Sequence, residues 1–167
     1  MKRKGKTSLK DSRRFITQII KAVEYMHQNQ IIHRDLKLAN IFLDQNNQIK
    51  VGDFGKLQIE FADEKKISVC GTLNYLAPEI VSGPFGHSYE VDYWAIGVIS
   101  FALLFGKSPF QSKTENETLE RIKQCKYEFP VHCLLFLECS STFISQRLYQ
   151  ENFGLRFQKK DELTRNA

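Results

Sequence analysis

Residues 32–40 read Ile-His-Arg-Asp-Leu-Lys-Leu-Ala-Asn, and this stretch decides the fold. It places a carboxylate at Asp35, an ammonium at Lys37 and a side-chain amide at Asn40. Asp35 and Asn40 also have an ordinary structural explanation, because aspartate often caps helices and asparagine often occupies turns. The sequence on either side therefore decides whether the stretch carries chemistry.

Two more short motifs follow this stretch along the chain. Asp-Phe-Gly occupies residues 53–55, and Ala-Pro-Glu occupies residues 77–79. Ahead of Asp-Phe-Gly, two short and largely apolar stretches, 41–43 and 49–51, flank a polar segment. This pattern predicts a small hairpin with its turn near Asn46 and Asn47. Three motifs in this order, with a hairpin between the first two, favour a functional interpretation over chance.

The motifs match the H-R-D-L-x-x-x-N, D-F-G and A-P-E signatures of protein kinases. From about residue 9 to residue 130, the chain resembles the large, C-terminal lobe of a eukaryotic serine/threonine protein kinase. The resemblance implies a mainly α-helical, protein-kinase-like fold with short β-hairpins, present as the large lobe only. Within the superfamily the chain is most similar to the polo-like kinases, judged on segments 32–43, 70–75, 86–92 and 119–123.

The residue types suit phosphoryl transfer, which depends on positioning and charge neutralisation more than on covalent chemistry. The resemblance implies that Asp35 orients a serine or threonine hydroxyl of a protein substrate and accepts its proton. Lys37 is expected beside the transferring phosphate of ATP, an arrangement that favours Ser/Thr over Tyr substrates. Asn40 and Asp53 offer the oxygen ligands that Mg²⁺ prefers.

Further site residues follow from the same resemblance. Ser68 falls where such kinases are activated by an upstream kinase, and Arg34 is the expected partner of that phosphate. An ordinary exposed loop serine remains the alternative for Ser68. Thr72 is expected in the loop that receives the substrate residue after the phosphoacceptor. Structural roles are expected for four residues, with Asp92 bracing the backbone of the 33–40 loop: His33, Gly55, Glu79 and Asp92.

Three helices are predicted from local patterns. Ser8 with Asp11 forms an N-cap signature before an apolar series at helical spacing, and Asn29 is a candidate end. Residues 91–105 are apolar on all sides, as in a buried helix that Gly106 ends, and Trp94 and Gly97 are expected in the core. Thr114 with Glu117 predicts a capping box for the last helix. These elements define a domain over 1–130.

The remaining residues, 131–167, lack a clear hydrophobic period and are expected to form a divergent, poorly ordered tail. Family members carry an Asp-Pro…Arg-Pro turn here, whose arginine pairs with the glutamate of Ala-Pro-Glu. Arg147 and Arg156 stand in the wrong context for that turn, so Glu79 is expected to lack its partner. A buried carboxylate without a partner is costly.

Composition excludes several classes of function. Residues 1–14 hold seven basic residues against one acid, whereas the rest of the chain is close to neutral, so no broad nucleic-acid surface is expected. The longest nearly apolar run covers 13 residues, 93–105, which is too short to cross a bilayer. The four cysteines have no metal or redox spacing and indicate free thiols in a reducing compartment. An intracellular protein, cytoplasmic or nuclear, is expected.

Two departures from the kinase pattern bear on activity. No glycine-rich loop is found ahead of the first helix, so the small lobe that covers ATP is expected to be absent and this chain alone weak or inactive. Lys56 follows Asp-Phe-Gly where polo-like kinases usually carry leucine, which puts the activation-loop geometry in doubt. Two alternatives stay open: a non-catalytic binding or scaffold module, and a truncated gene model whose true product is a complete kinase.

Overall fold

The computed structural model describes residues 7–59, 71–83 and 88–130. Within them, the helices are α1 at Leu9–Gln28, α2 at Pro78–Ser82, α3 at Glu90–Phe105 and α4 at Glu115–Lys123. Short strands are β1 at Ile31–Ile32, β2 at Ile41–Leu43, β3 at Ile49–Val51 and β4 at Gln58–Ile59. Single 3₁₀ turns cover Leu38–Asn40, Phe54–Lys56 and Leu73–Tyr75. The prediction of a mainly helical fold with short antiparallel strand pairs is confirmed.

The strands form two antiparallel pairs that bracket the functional motifs. β2 and β3 make the predicted hairpin, with Ile41 opposite Val51, and Asn47 takes a left-handed conformation in its turn (φ 56°). β1 pairs with β4, with Ile31 opposite Ile59. This second pair joins the residues just before the 33–40 loop to those just after Asp-Phe-Gly. The chain between them is thereby closed into one compact unit around the two motifs.

The helix ends confirm the local predictions and refine one of them. Ser8 Oγ accepts a hydrogen bond from the Asp11 N–H at 3.0 Å, and α1 ends at Gln28 with Asn29 as its C-cap. Thr114 Oγ1 accepts from the Glu117 N–H at 3.2 Å, which is one half of the capping box. The Glu117 carboxylate accepts instead from Ser112 Oγ at 2.6 Å.

Helix α3 is the central element of the core. Its residues Ala95, Ile96 and Ile99 pack against Ile19, Val23 and Met26 of α1 and against Leu36. Gly106 stops it in the left-handed region (φ 74°), where glycine avoids the strain that a side chain brings. None of the described helices is both long and apolar enough to span a membrane.

The expectation that Gly97 lies in the core is wrong. Gly97 is exposed, and a Cβ built on it meets no atom within 4 Å. Trp94 is half-buried and stacks on Phe110 with ring centroids 5.2 Å apart. The apolar character of α3 therefore overstates its burial, because one glycine carries little apolar surface and can lie on the open side of a buried helix.

Candidate active site

The carboxylate of Asp35 is the centre of a polar cluster beneath the 33–40 loop. Its side chain is only 3% exposed. Oδ2 accepts from Lys37 Nζ at 2.9 Å and from Lys56 Nζ at 3.0 Å, and Oδ1 accepts from Thr72 Oγ1 at 3.0 Å. Lys37 Nζ also donates to Thr72 Oγ1 at 3.0 Å. Asp35, Lys37 and Thr72 therefore form a closed ring of hydrogen bonds.

The surroundings of Asp35 decide its charge state. Burial by itself raises the pKa of a carboxyl, because it removes water from the charged form. Here hydrogen bonds from Lys37, Lys56 and Thr72 stabilise that form, and they hold the pKa of Asp35 below its ordinary value. Asp35 is therefore a carboxylate at neutral pH, ready to accept a hydrogen bond from a hydroxyl.

Asp92, on the first turn of α3, braces the loop that carries Asp35. It is fully buried, and Oδ2 accepts from the His33 N–H at 2.8 Å while Oδ1 accepts from the Arg34 N–H at 2.9 Å. His27 of α1 places Nε2 2.9 Å from Oδ2 and Nδ1 3.1 Å from the Tyr93 hydroxyl. Both oxygens of the carboxylate are thus hydrogen-bonded, as a buried charge requires. One side chain fixes two successive loop amides.

The same brace holds Arg34 in an unusual backbone conformation. Arg34 has φ 64°, in the left-handed region that a residue with a long side chain rarely occupies. Such a conformation costs on the order of 1 kcal/mol or more and persists only where neighbouring contacts fix it. The bond from the Arg34 N–H to Asp92 provides such a contact directly before Asp35.

His33 links this loop to the start of the Asp-Phe-Gly motif. The ring is fully buried, Nδ1 accepts from the Asp35 N–H at 3.3 Å, and Nε2 lies 3.1 Å from the carbonyl oxygen of Gly52. Since Nδ1 accepts and a carbonyl can only accept, the proton sits on Nε2. The ring also lies 5.6 Å from that of Phe54. His33 therefore packs and orients backbone, with both nitrogens in use.

Asn40 is buried at the end of the same loop. Its Nδ2 donates to the carbonyl oxygen of Asp35 at 2.9 Å, which orients the amide, and its own backbone carbonyl accepts from the Gly52 N–H at 2.9 Å. Within the described residues, no hydrogen bond involves Oδ1 of this amide. That oxygen is available as a ligand.

Asp53 follows Gly52 directly and has φ 62° and ψ 68°, the second left-handed residue of the site. Its side chain is exposed, and no described residue forms a hydrogen bond or ion pair with its carboxylate. The turn after it is held to the 33–40 loop, because Arg34 Nε donates to the carbonyl oxygen of Lys56 at 2.8 Å. The motif is therefore anchored to the loop on both sides of Asp53.

The donor set suits a hard divalent cation. One free carboxylate at Asp53 and one oriented amide oxygen at Asn40 are the kind of ligands that Mg²⁺ takes from a protein when substrate phosphates and water supply the rest. Among the residues that the structure describes, no cluster of three or more His, Cys, Asp or Glu side chains could hold a metal by itself. The two residues thus fit a cation that arrives with a phosphate.

Comparison with known proteins decides the family. The profile of the protein kinase domain matches residues 1–150, most of the chain. The chain belongs to the protein kinase family. The similarity to polo-like kinases is confirmed as well: the kinase is 51% identical over 121 residues to the probable serine/threonine-protein kinase PLK of Dictyostelium discoideum. It is 50% identical over 121 residues to the serine/threonine-protein kinase polo of Drosophila melanogaster.

These matches cover much of this kinase but little of its relatives. They include 72% of this chain, yet only 12% of the Dictyostelium protein and 21% of the Drosophila protein. The serine/threonine-protein kinase PLK1 of Xenopus laevis, 45% identical over 132 residues, is covered to 22%. The similarity therefore applies to only one part of those relatives.

The structure places most of the predicted kinase site residues in one region. Asp35, Lys37 and Thr72 are in direct contact, and Asn40 is bonded to the backbone of Asp35. Asp53 follows Gly52, whose N–H donates to the Asn40 carbonyl and whose own carbonyl lies 3.1 Å from His33 Nε2. Ser68 lies outside the described residues, as do Arg147 and Arg156.

Glu79 and Gly55, both predicted to be structural, make few contacts with the described residues. Glu79 is half-buried, and no described residue forms an ion pair with it. Burial, with help from the charge of Glu90 and against a bond to its own backbone, raises the pKa of Glu79 above its ordinary value. Gly55 is exposed, and an added Cβ would lie 3.5 Å from Asp53 Oδ1, an ordinary contact. Local sterics therefore leave room for a side chain at Gly55.

Two contacts were not anticipated from the sequence. Lys56 was noted only as a departure from the polo-like pattern, but its ammonium reaches Asp35. His27 lies 65 residues before Asp92 and belongs to no motif, although it is one of the partners of that carboxylate. A charged residue directly after Asp-Phe-Gly was the available signal for the first contact. For His27, the only available signal was its position on the last turn of α1, the helix that leads to the 33–40 loop.

Proposed function

We propose that this chain is the large lobe of a polo-like serine/threonine protein kinase and takes part in transferring the γ-phosphoryl group of ATP to serine or threonine hydroxyls of proteins. The observation that supports this best is the ring formed by Asp35, Lys37 and Thr72. A buried carboxylate held by a cation and a hydroxyl is a built acceptor for a third group. In this fold, that group is a substrate hydroxyl.

Asp35 acts on the hydroxyl of the substrate. Its carboxylate is ionised at neutral pH, and its backbone is fixed by the braces on the two preceding residues. Oδ1 carries a single hydrogen bond, from Thr72, so one of its lone-pair positions can accept from the hydroxyl. Asp35 orients that hydroxyl and takes up its proton as the phosphoryl group transfers.

Lys37 and Thr72 control what reaches Asp35. The Lys37 ammonium lies two residues past the carboxylate and is 20% exposed, so it can contact a phosphate without leaving the site. Thr72 fixes the orientation of the carboxylate and ties it to the segment that ends at Ala-Pro-Glu. We propose that Lys37 binds the transferring phosphate. Thr72 positions the Asp35 carboxylate, next to the surface that receives the substrate chain.

Asn40 and Asp53 are the residues that would hold Mg²⁺. The support is the free carboxylate of Asp53 and the amide of Asn40, whose oxygen is turned away from its bond to Asp35. When bound, Mg²⁺ with ATP supplies the phosphoryl group and neutralises its charge. The backbone of Asp53 is left-handed, and no described residue forms a hydrogen bond or ion pair with its side chain.

We infer that these 167 residues alone are weak or inactive. A glycine-rich loop, the lysine that pairs the α- and β-phosphates and its partner glutamate are not recognisable in the sequence. Losing one preorganised electrostatic contact typically costs about a hundred- to a thousandfold in rate. Several are missing together, so efficient transfer requires a small lobe from elsewhere.

Regulation by an upstream kinase is a further part of the proposal. Phosphorylation of Ser68 would add about −1.5 to −2 charge in the segment between Asp-Phe-Gly and Thr72. Arg34 directly precedes Asp35, and its Nε holds the Lys56 carbonyl, so a phosphate at its guanidinium would act on both motifs. We propose an intracellular location, cytoplasmic or nuclear, where thiols such as that of Cys125 stay reduced.

A second candidate is a non-catalytic binding module. Large apolar side chains around the hairpin and the Asp-Phe-Gly motif are exposed, which suits a surface that another protein covers: Phe42, Leu43, Phe54 and Leu57. The two candidates differ in their response to nucleotide. A melting temperature that rises with Mg²⁺ and ATP, and no longer rises in Asp53→Ala, favours the kinase.

The decisive experiment measures phosphate transfer by the full-length protein that the transcript encodes. Incorporation of labelled γ-phosphate into a serine-rich protein should fall about a hundred- to ten-thousandfold in Asp35→Asn. Glu24→Gln, an exposed carboxylate on α1 without a described partner, is the matched control and should retain the wild-type rate. Equal rates for the wild type and Asp35→Asn would refute the proposed function.

A further inference from the structure

Lys56 makes a contact that the proposed reaction does not use. It is the last residue of the 3₁₀ turn Phe54–Lys56, and its ammonium lies 3.0 Å from Asp35 Oδ2. Lys37 occupies the same oxygen at 2.9 Å. Two cations therefore converge on one oxygen of the residue that must accept a substrate hydroxyl.

The acceptor capacity of a carboxylate shows why this matters. Its two oxygens offer about four lone-pair positions. Lys37 and Lys56 take those of Oδ2, and Thr72 takes one of Oδ1, which leaves a single position for a substrate. An ammonium only donates, so Lys56 fills a position on Oδ2 that a substrate hydroxyl could otherwise use, and its charge weakens the remaining position on Oδ1 as an acceptor.

Lys56 is held by its backbone but not by its side chain. Arg34 Nε bonds its carbonyl at 2.8 Å, which keeps the residue at the edge of the site. Its side chain is 42% exposed, against 20% for Lys37, and Lys37 alone also contacts Thr72. The ammonium of Lys56 can therefore leave for water, whereas the ring of Asp35, Lys37 and Thr72 stays intact without it.

We propose that Lys56 is a positioning residue that acts through Asp35: its ammonium restricts the substrate hydroxyl to the one open position on Oδ1, weakens that oxygen as an acceptor, and slows transfer until it is displaced. This inference rests on the proposed kinase function. It predicts that the position after Asp-Phe-Gly sets the rate of the enzyme without touching the phosphate. The 42% exposure of the Lys56 side chain limits the effect to roughly a few-fold, because water screens its charge.

Lysine reactivity tests the contact without any catalysis. Brief acylation of the 167-residue chain, read by mass spectrometry, should label Lys56 more slowly than Lys50, an exposed lysine on β3 without a described partner. In Asp35→Asn, the rate at Lys56 should rise towards that at Lys50. Equal labelling of Lys56 and Lys50 in the wild-type chain would overturn the proposal, whatever the activity of the protein.

Kinetics of the transcript-encoded protein test the consequence. Lys56→Met should raise kcat/KM for the protein substrate roughly two- to fivefold and leave KM for ATP unchanged. Lys50→Met should change neither, and Lys56→Arg, which keeps a cation, should stay close to the wild type. A protected Lys56 with unchanged or lower kcat/KM in Lys56→Met would also overturn the proposal. Full activity in Asp35→Asn is a different result, since it refutes the proposed function itself.

Discussion

Replacing Asp92 by asparagine tests how the fold holds the 33–40 loop. Asparagine keeps the shape of the side chain but offers one acceptor oxygen in place of two. If the amide oxygen takes the place of Oδ2, it keeps the bonds to the His33 N–H at 2.8 Å and to His27 at 2.9 Å. The new NH₂ group then faces the Arg34 N–H, which bonded Oδ1 at 2.9 Å, donor against donor.

The cost follows from these contacts. A hydrogen bond to a charged group contributes about 1.5–3 kcal/mol, and the remaining bonds lose their charge assistance. We therefore expect Asp92→Asn to lower the free energy of unfolding by about 2–4 kcal/mol, a large share of the roughly 5–15 kcal/mol typical of a domain. Because Arg34 depends on this bond for its left-handed backbone, its amide should also lose hydrogen-exchange protection.

Urea unfolding and amide hydrogen exchange are the assays, with Glu90→Gln as the control. Glu90 is an exposed carboxylate on the same first turn of α3, so its loss costs at most the favourable charge at a helix N-terminus, about 0.3–1 kcal/mol, and relief of its repulsion with Glu79 lowers that cost. If Asp92→Asn costs no more than Glu90→Gln, and the Arg34 amide stays protected, the bracing role of Asp92 is refuted.

Two further predictions concern stability. Gly71→Ala should destabilise the protein by about 1–3 kcal/mol, because Gly71 has φ 133° and an added Cβ would lie 2.7 Å from Leu76 Cδ2. Gly97→Ala, on the open face of α3, should instead stabilise it by about 0.5–1 kcal/mol. Thermal unfolding of the two variants would count against this account if both changes in stability had the same sign. The raised pKa of Glu79 means that the folded state binds its proton more tightly than the unfolded state, so this group lowers stability as pH rises above its unfolded pKa. Urea unfolding at about pH 4 and pH 7 should therefore show Glu79→Gln gaining stability on the wild type at the higher pH, and a gain that is the same at both pH values would contradict the cause given.

The sequence was most informative where structure is set by near neighbours. Ser8 and Thr114 were predicted as helix caps, because a hydroxyl can reach the amide three residues later in the chain. The hairpin around Asn47 followed from its polar turn between apolar triplets. In each case the partners lie within a few residues, so the pattern contains both sides of the contact.

Long-range contacts were predicted only where a family motif named them. The brace from Asp92 to the 33–40 loop was expected from the resemblance, whereas the bond from His27 to the same carboxylate was not. Lys56 shows the same limit, since its long side chain could have pointed to water or to any nearby carboxylate. The prediction that Gly97 lies in the core was wrong for a different reason, because helix periodicity does not identify the open side of a helix that is apolar all round.

The central claim is that Asp35, Asn40 and Asp53 gather around a metal-bound triphosphate. Paramagnetic broadening of amide signals by Mn²⁺ with ATP measures this directly, because the effect falls steeply with distance from the ion. The account predicts that the amides of these three residues broaden together, that those of α4 stay sharp, and that Asp53→Ala removes the effect. Broadening spread over unrelated surfaces, or unchanged in Asp53→Ala, would contradict it.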